Sequence, residues 1–406
     1  MERQDGVELG AVTEATFAEF RRGFAATFGF TPADDVIARS REWNELDRLI
    51  AARDATGQVV GTAGAYTFEV SLPGGRSAGC AGITVVSVRA DHRRRGLLTR
   101  MMAQLLDDAA ARGEPFAALW ASESPIYGRY GFGPAVPTLD VSIDTLSGAL
   151  RSEGPVGDVR LMDVEAARST FPSIYDRFRS TRPGALSRSA AWWSRVLTHE
   201  PDPASQTGPL RLALLPDRGF LIYHLASEWT DGVPTGTVTV HDLVALDPGA
   251  LAALLRFAID TDLAQRVELV RRAPDEPLLA LLVDPQRARV TAGWPLYVRL
   301  VDVPAALEAR GYLGDDEVVL EVRDDRRPAN AGRWRLTVTD GVGRCRRTDA
   351  DPDACLDVEV LATISLGGVR ATSLHDAGRI AGAPATVLRL DRLFAAERAP
   401  VCDQMF

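Results

Sequence analysis

The segment from Val86 to Thr99 joins a strand end, a basic turn and a helix start, a combination that suits the binding of an anion. Apolar, β-branched residues lead into three consecutive arginines and then Gly96, after which apolar residues repeat with a helical period near 3.6. Such a turn offers free backbone N–H groups and the positive end of a helix dipole to a phosphate. A glycine there lets the phosphate approach the backbone closely. An ordinary solvated turn between a strand and a helix is the alternative interpretation.

A second segment, Ala117–Gly133, places two phenols after an apolar strand. The strand ends at Ser122, and the glycine-punctuated turn that follows contains Tyr127 and Tyr130. A phenol with a pKa of about 10 stays protonated at neutral pH, so it can donate a proton to a leaving group. For either tyrosine, a half-buried packing residue with a satisfied hydroxyl group is the alternative interpretation.

The first segment resembles the acyl-CoA-binding motif of the GNAT acetyltransferases, (Gln/Arg)-x-x-Gly-x-(Gly/Ala) after a splayed strand. Here it reads Arg93-x-x-Gly96-x-Leu98, with leucine at the last, usually small, position. The second segment is similar to the family pattern Tyr-x-x-x-Gly-Phe, and Tyr127 falls on its tyrosine. Tyr130 falls where the pattern usually has an apolar core residue. The resemblance implies that Tyr127 protonates the departing CoA thiolate.

The composition is that of a soluble globular chain of two or three domains. It has 406 residues, 46% of them hydrophobic, and no apolar run approaches the roughly 20 residues of a membrane-spanning helix. The start, Met1–Asp5, lacks the features of a secretory signal. The net charge of −9 disfavours a nucleic-acid binder and is compatible with a cationic substrate. We therefore expect a cytoplasmic protein with no nucleic-acid partner and no membrane span.

Several kinds of chemistry are excluded by residue types that are missing or scattered. The chain has no lysine, which excludes Schiff-base chemistry and a Walker-type phosphate site. The five histidines, His199 among them, form no metal-binding cluster, and the four cysteines lack metal-ligand spacing. We therefore expect reduced thiols, no metal, and no cofactor chemistry beyond acetyl-CoA as a cosubstrate.

The two motifs lie in a first α/β unit, residues 1–150. The predicted elements are strands at Val59–Tyr66, Ile83–Val88 and Phe116–Ala121, and helices at Thr16–Thr27 and Leu97–Arg112. A linker rich in Gly, Ser and Glu, Ser147–Gly157, ends the unit.

Residues 151–292 repeat this order with lower fidelity. The predicted strands are Leu210–Leu215, Gly219–Ala226, Thr237–Leu246, Val267–Arg271 and Leu278–Leu282, with a helix after Asp247-Pro248-Gly249. The turn after Leu246 has no arginine and puts the carboxylate of Asp247 where a phosphate would lie. We interpret this part as a degenerate GNAT copy that does not bind CoA; the order common to any α/β domain is the alternative interpretation.

Residues 293–406 change to an α+β pattern, with strands grouped together and helices at their flanks. A helix is predicted at Val303–Gly311, followed by strands Glu317–Arg323 and Arg333–Asp340, the segment Leu356–Ile364, and helices Asp376–Ile380 and Leu388–Ala396.

With these three parts in place, the chain resembles the Eis family (enhanced intracellular survival) of GNAT N-acetyltransferases. The resemblance is carried by His92–Leu98, Ile126–Ala135, Val303–Tyr312 and the terminal Phe406. It implies tandem GNAT folds, the N-terminal one active and the central one degenerate, and a C-terminal sterol-carrier-protein-like domain. It also implies a homohexamer that acetylates primary amines, including several positions on aminoglycosides.

The same resemblance assigns roles to residues of this chain. The backbone of Val86, Ser87 and Val88 would hold the pantetheine arm and the thioester carbonyl like an added strand. The pyrophosphate would be cradled by Arg94, Arg95, Gly96, Leu97, Leu98 and Thr99, while Ser122 and Glu123 would border the cofactor. Tyr127 would be the general acid, and the C-terminal carboxylate of Phe406 would be the general base.

A chain-terminal carboxylate is a weak base in water, because its pKa is about 3.5. Burial must raise that pKa, or the group must mainly orient an amine that is already losing its proton. A solvated, frayed end is the alternative interpretation. The apolar tail, Pro400–Cys402 with Met405 and Phe406, favours docking.

The acceptor is the point on which the chain departs from the family pattern. Aminoglycoside-modifying members hold polycations with acidic groups, one of them beside the terminal residue, where this chain has Met405. Asp34, Asp35 and Glu42 either restore negative charge at the acceptor pocket or form a solvated face. We expect a cationic small molecule, an aminoglycoside or a polyamine-like amine. The alternatives are a protein or peptide lysine, and a non-catalytic lipid-binding or regulatory protein with an apolar tunnel in residues 293–406.

Overall fold

The structure, a computed structural model, describes residues 6–151, 159–198 and 208–406. Met1–Asp5, His199 and most of the predicted linker Ser147–Gly157 lie outside the described residues. The chain forms two compact units. The first holds the residues up to Ala135, Leu296–Ala395 and Phe406, and the second holds Val136–Pro295 and Ala396–Met405.

The N-terminal part of the first unit is a sheet covered by helices on both faces. Its elements are β1 (Glu8–Ala11), α1 (Phe17–Thr27), α2 (Asp34–Ser40), β2 (Leu49–Arg53), β3 (Val59–Leu72), β4 (Arg76–Val88), α3 (Leu97–Ala111), β5 (Phe116–Trp120) and α4 (Ser124–Tyr127). The strand order is β1-β2-β3-β4-β5, with β4 and β5 parallel and the other pairs antiparallel. Ile50 and Ala52 pack in the core under α3, whereas Leu49 and Ala51 pack in the core under α1. Since successive strand residues point to opposite faces, α1 and α3 cover opposite faces of the sheet.

The elements of the second unit are β6 (Gly133–Asp144), β7 (Arg160–Met162), α5 (Val164–Arg179), α6 (Ala190–Leu197), β8 (Arg211–Leu215), β9 (Gly219–Ala226), β10 (Trp229–Thr230), β11 (Val233–Pro234), β12 (Gly236–Ala245), α7 (Pro248–Ile259), β13 (Ala264–Arg272), α8 (Leu278–Leu281) and β14 (Arg289–Leu300). From β7 onward the second unit repeats the order of elements of the first, with the short strands β10 and β11 added. Its strands are ordered β6-β13-β12-β9-β8-β7, and only β12 and β13 among them pair in parallel. The parallel β12–α7–β13 connection corresponds to β4–α3–β5 of the first unit.

The C-terminal part of the first unit has its own sheet. Its elements are α9 (Val303–Ala309), β15 (Asp316–Arg323), β16 (Gly332–Thr339), β17 (Val342–Arg347), β18 (Ala354–Asp357), α10 (Val358–Ile364), α11 (Ala371–Asp376), β19 (Ile380–Gly382) and α12 (Pro384–Leu393), with strand order β17-β16-β15-β18-β19. The end of β14, Leu296–Leu300, also lies in this unit and pairs antiparallel with β5. The buried guanidinium of Arg310 donates to the carbonyls of Ser365 and Phe394, at the negative C-terminal ends of α10 and α12.

The predicted α/β and α+β organisation is confirmed, with two local errors. The predicted strand Leu278–Leu282 is the short helix α8, because Pro277 sets its first turn and a short leucine run suits either structure. The segment Leu356–Ile364, for which no element type was predicted, changes from β18 to α10 after Asp357. The helix predicted at Asp376–Ile380 lies earlier, as α11, because Gly378 adopts a left-handed φ of 73° after it. Within the described residues, no helix is long and apolar enough to cross a membrane.

Candidate active site

A cleft opens in the first unit where β4 and β5 part. Their pairing runs from Cys80 with Phe116 to Ile83 with Leu119 and stops there, whereas β4 stays paired with β3 as far as Val88. A bulge in β4 lies at this point, and its buried Val85 adopts a left-handed φ of 47°. A bulge bends a strand and redirects its edge, so the last residues of β4 bend away from β5 while they remain paired with β3.

The freed edge of β4 presents backbone groups to the cleft. The N–H of Arg89 donates to the carbonyl of Val60 on β3. Because successive strand residues direct their backbone groups to opposite sides, those of Val88 and Val86 face the side that β5 has left. An open strand edge of this kind pairs with an extended ligand through main-chain hydrogen bonds. The hydroxyl of Thr62 donates to Val85 O and shares a hydrogen bond with Ser87, which holds the bulge in place.

The turn after β4 is shaped to receive an anion. Arg94 and Gly96 both adopt left-handed φ values, 62° and 75°, and α3 begins at Leu97 without a side-chain cap or an acidic residue in its first turn. Its first N–H groups therefore keep their hydrogen-bonding capacity for a ligand. Among the described residues Arg94 makes no hydrogen bond or ion pair. Asp91 pairs with Arg89 and His92, and these contacts lower the pKa of its carboxyl.

A cavity of about 800 Å³ connects this turn with the end of β5. It is lined by Thr27, Phe28, Val86, Ser87, Val88, His92, Arg93, Arg94, Gly96, Leu97, Leu98, Thr99, Ser122, Glu123, Ile126, Tyr127, Arg129 and Tyr130. Every predicted cofactor-binding residue except Arg95 is in this lining. The guanidinium of Arg95 instead donates to the carbonyl of Asp91.

Other lining residues were missed by the sequence reasoning. Arg93 is the first residue of the basic motif but was given no binding role, and Arg129 lies within the tyrosine motif, so the motifs themselves could have identified both. Thr27 and Phe28 stand at the end of α1 and carry no local pattern that identifies them.

Tyr127 lines the cavity and is buried, with 7% of its surface exposed. Burial raises the pKa of its phenol, Glu123 and Tyr130 raise it further, and hydrogen bonding to Ser122 opposes the rise. The phenol is therefore protonated throughout the neutral range and available as a proton donor. The hydroxyl of Tyr130, the competing candidate, is hydrogen-bonded to Thr99 at 3.1 Å.

Phe406 docks on the sheet of the first unit. Its ring centroid lies 5.2 Å from that of Phe68 on β3, and a Cβ on Gly82 of β4 would come within 3.2 Å of the Phe406 ring. Gly82 immediately precedes Ile83, the last β4 residue that pairs with β5. The terminal ring thus packs beside the point where the cleft begins, although Phe406 is not part of the cavity lining.

In the second unit the chain segment before Met405 is buried. Val401, Cys402, Asp403 and Gln404 each have 3% or less of their surface exposed. The guanidinium of Arg188, also buried, forms ion pairs with Asp242 and Asp403 and lies 4.0 Å from the ring centroid of Tyr175. The frayed-end alternative therefore does not describe this tail.

The early acidic residues lie away from the cavity. Asp34 pairs with Arg22 beside a separate open groove, and Asp35 pairs with Arg39. Both carboxylates are largely solvent-exposed, and Glu42 is exposed as well. These three residues form a solvated face rather than part of the cavity.

The corresponding turn of the second unit is occupied by its own side chain. Asp247 caps α7 by accepting a hydrogen bond from the N–H of Ala250, and it pairs with Arg218. These contacts lower the pKa of the Asp247 carboxyl to about 2. The Asp247 carboxylate thus caps the N-terminus of α7, whereas the N-terminus of α3, its counterpart in the first unit, has no side-chain cap.

Comparison with known proteins decides the family. The models of two acetyltransferase (GNAT) domains match residues 8–135 and 184–300, and a sterol carrier protein domain matches 303–403. The N-acetyltransferase Eis of Mycobacterium tuberculosis is 36% identical over 87% of this chain and 89% of its own. The chain belongs to the Eis family of GNAT N-acetyltransferases. The resemblance stated from the sequence is therefore confirmed.

Further relatives agree with this placement. An uncharacterized N-acetyltransferase of Streptomyces avermitilis is 42% identical over 83% of each chain. The crystal structure of Eis1 from Mycobacterium abscessus superimposes with a TM-score of 0.87 at 32% identity, covering 98% of this chain and 100% of the other. An Eis-family chain is an acyltransferase, and its GNAT fold implies acetyl-CoA as the cosubstrate. Within the described residues no cluster of His, Cys, Asp or Glu could hold a metal ion.

We predict that Gly96→Val weakens CoA binding about 10-fold or more. A Cβ at Gly96 meets no protein atom within 4 Å, so the protein itself has room for the side chain. The left-handed φ of 75° adds about 1–2 kcal/mol of strain, and the branched side chain would occupy the space that the phosphate needs. Calorimetric titration with CoA measures the affinity, and Gly57→Val, at another open left-handed glycine, is the matched control. Equal CoA affinity in wild type and Gly96→Val would contradict this role for the turn.

Proposed function

We propose that the cavity of the first unit is the site of acetyl transfer from acetyl-CoA to a primary amine of a cationic small molecule, an aminoglycoside or a polyamine-like compound. The observation that carries this proposal is that one cavity joins the uncapped start of α3 to the buried, protonated Tyr127. An anion-binding turn and a proton donor are the two groups that a CoA thioester needs at its two ends.

Each part of the cavity has a separate role in the proposed acetyl transfer. The turn Arg94–Thr99 holds the pyrophosphate, and the β4 edge at Val86–Val88 pairs with the pantetheine arm. Acetyl-CoA supplies the activated acetyl group. The N–H of Val88 donates to the oxyanion that develops on the acetyl carbonyl. Tyr127 donates its proton to the departing thiolate.

The carboxylate of Phe406 is the proposed base for the amine. The docking of its ring on Phe68, at the start of the cleft, supports this role. Glu123 places a carboxylate in the cavity lining itself, and the chain as a whole carries a net charge of −9. These negative groups favour a cationic acceptor through electrostatic attraction.

A panel of acceptors tests the substrate class. We expect thiol release from acetyl-CoA with polyamines and aminoglycosides at a kcat/KM at least 10-fold above that with neutral monoamines, and a KM that rises with salt because screening weakens the attraction. Lysine peptides provide the comparison. A higher kcat/KM with lysine peptides than with every small polyamine would replace this proposal with peptide acetylation.

The assembly and location are part of the same proposal. We propose a homohexamer, as the family resemblance implies, and a cytoplasmic location, as the composition predicts. Light scattering of the purified chain measures its mass against the 43.8 kDa of one chain, and a mass below six chains at working concentration would contradict the hexamer.

A further inference from the structure

The chain segment that carries Tyr127 is braced by residues from the C-terminal part of the same compact unit. We call Ser124–Gly133 the acid turn. A Cβ on Gly131 would lie 1.9 Å from Nη1 of Arg299, and a Cβ on Gly133 would lie 2.2 Å from the carbonyl oxygen of Glu359. No other residue type fits at these two positions unless its neighbours shift, so the backbone after Tyr127 is packed directly against this part of the unit.

Arg326 of the sterol carrier domain reaches the acid turn with its side chain. Its Nε donates to the carbonyl of Arg129 at 3.2 Å, and its guanidinium carbon lies 5.5 Å from the ring centroid of Tyr130. The buried Tyr130 in turn shares a hydrogen bond with Thr99, in the first turn of α3. Arg326 therefore contacts two residues of the acid turn, and one of them, Tyr130, is hydrogen-bonded to the start of α3.

A buried network fixes the loop that carries Arg326. One carboxylate oxygen of Asp324 accepts hydrogen bonds from the backbone N–H groups of Arg326 and Arg327, at 3.1 Å each. The other oxygen accepts from Arg299 and Asn330. The side chains of Asp324 and Arg299 are 1% and 0% exposed. The Asp324 carboxylate thus holds both arginines that contact the acid turn. It accepts a hydrogen bond from the backbone of Arg326 and forms an ion pair with the side chain of Arg299.

We propose that Arg326 is a positioning residue for acetyl transfer: it fixes the acid turn, and through it the phenol of Tyr127, relative to the CoA-binding turn. The inference rests on the proposed function and gives the sterol carrier domain a second role besides supplying the C-terminal carboxylate. Catalysis by a positioned proton donor is sensitive to displacements of about 1 Å, which cost up to about 100-fold in rate. Arg326 itself is exposed and touches no part of the cavity lining except through Arg129 and Tyr130.

The first test compares Arg326→Ala with Arg323→Ala. Arg323 is an exposed arginine of the same domain that pairs with Asp357 on the neighbouring strand, so it controls for the loss of a surface charge. We expect kcat to fall about 10-fold in Arg326→Ala, with the KM for acetyl-CoA and the melting temperature close to wild type. Unchanged kcat, or an equal loss in Arg323→Ala, would overturn the proposal.

A double variant separates positioning from a general structural role. In Tyr127→Phe the phenol is gone, so the further change Arg326→Ala has no proton donor to misplace. We expect kcat of the double variant to equal that of Tyr127→Phe within about twofold. If the two losses multiply, Arg326 acts independently of Tyr127 and the proposal is wrong.

Amide exchange measures the position of the turn without relying on turnover. The N–H of Gly131 donates to Gly128 and that of Phe132 to Tyr127. We expect both amides to exchange at least 10-fold faster in Arg326→Ala, with β3 unchanged. If the wild-type chain turns over no amine, the proposed function fails, and this measurement still decides the inference: faster exchange supports the bracing, and equal exchange overturns it.

Discussion

Replacing Tyr127 by phenylalanine is expected to lower kcat by about 100-fold or more while leaving CoA affinity nearly unchanged. General acid catalysis by a positioned side chain contributes about 10²–10⁴-fold to a rate, and phenylalanine keeps the buried ring that packs edge-on against Phe132. Thiol release at saturating acetyl-CoA measures kcat, and calorimetric titration measures the affinity.

The matched control for this prediction is Tyr130→Phe. Both tyrosines line the cavity and both are buried; the hydroxyl of Tyr130 is hydrogen-bonded to Thr99, and that of Tyr127 to Ser122. We expect a loss of less than about 10-fold in Tyr130→Phe. A larger loss there than in Tyr127→Phe would transfer the acid role to Tyr130.

The pH profile gives a second readout of the same phenol. The active form is the protonated one, so the rate falls as pH rises through the pKa of Tyr127. Because burial raises that pKa above its ordinary value of 10, we expect the alkaline limb of kcat to lie above pH 10 in the wild-type chain. That limb should be missing in Tyr127→Phe.

Adding one glycine after Phe406 is expected to lower kcat about 100-fold. The added residue converts the carboxylate of Phe406 into a neutral amide and moves the chain end by up to about 3.8 Å, while the ring can keep its contact with Phe68. Loss of a positioned base costs an amount similar to loss of the acid. Any affinity tag must therefore be placed at the N-terminus.

The control for the tail is Phe406→Ala, which keeps the carboxylate and removes the ring. We expect a loss between that of the extended chain and wild type, because the carboxylate is present but less firmly placed. The buried segment Val401–Gln404, held by Arg188 through Asp403, is unchanged in both variants. Wild-type kcat in the extended chain would show that Phe406 is not the base.

Much of the fold was predictable because apolar periodicity marks many of the longer strands and helices, although the 16-residue helix α5 was missed. The predicted strand Gly219–Ala226 matches β9, and the predicted helix Leu97–Arg112 differs from α3 by one residue at its end. Short apolar runs were less informative. Leu278–Leu281 is a helix although its leucines suit a strand equally well.

The strands β6 and β14 were missed for a physical reason. Prolines interrupt both, at Pro134 and Pro137 in β6 and at Pro295 in β14, and a proline within a run argues against a strand. Their partners are also distant in sequence: β6 pairs with β13 and β14 with β5. A pattern within one window of the chain does not contain such partners.

The candidate site was predicted largely through motifs, since the residues from Val86 to Thr99 and from Ser122 to Tyr127 are local in sequence. The contacts that depend on the tertiary fold were not. The bulge at Val85, the contribution of Phe28 and the bracing of the acid turn by Arg326 all join residues far apart in the chain. Of the two alternatives left open for Asp34, Asp35 and Glu42, the structure favours the solvated face.

The most direct test of the account is the stoichiometry of the reaction in the wild-type chain. Purified protein is mixed with acetyl-CoA and a polyamine, free thiol is followed by a colorimetric reagent, and the acetylated amine is counted by mass spectrometry. The account predicts steady turnover with one thiol released for each acetyl group found on the amine. CoA binding without any acetylated amine across aminoglycosides, polyamines and lysine peptides would contradict it and leave a GNAT scaffold that binds its ligand without transferring the acetyl group.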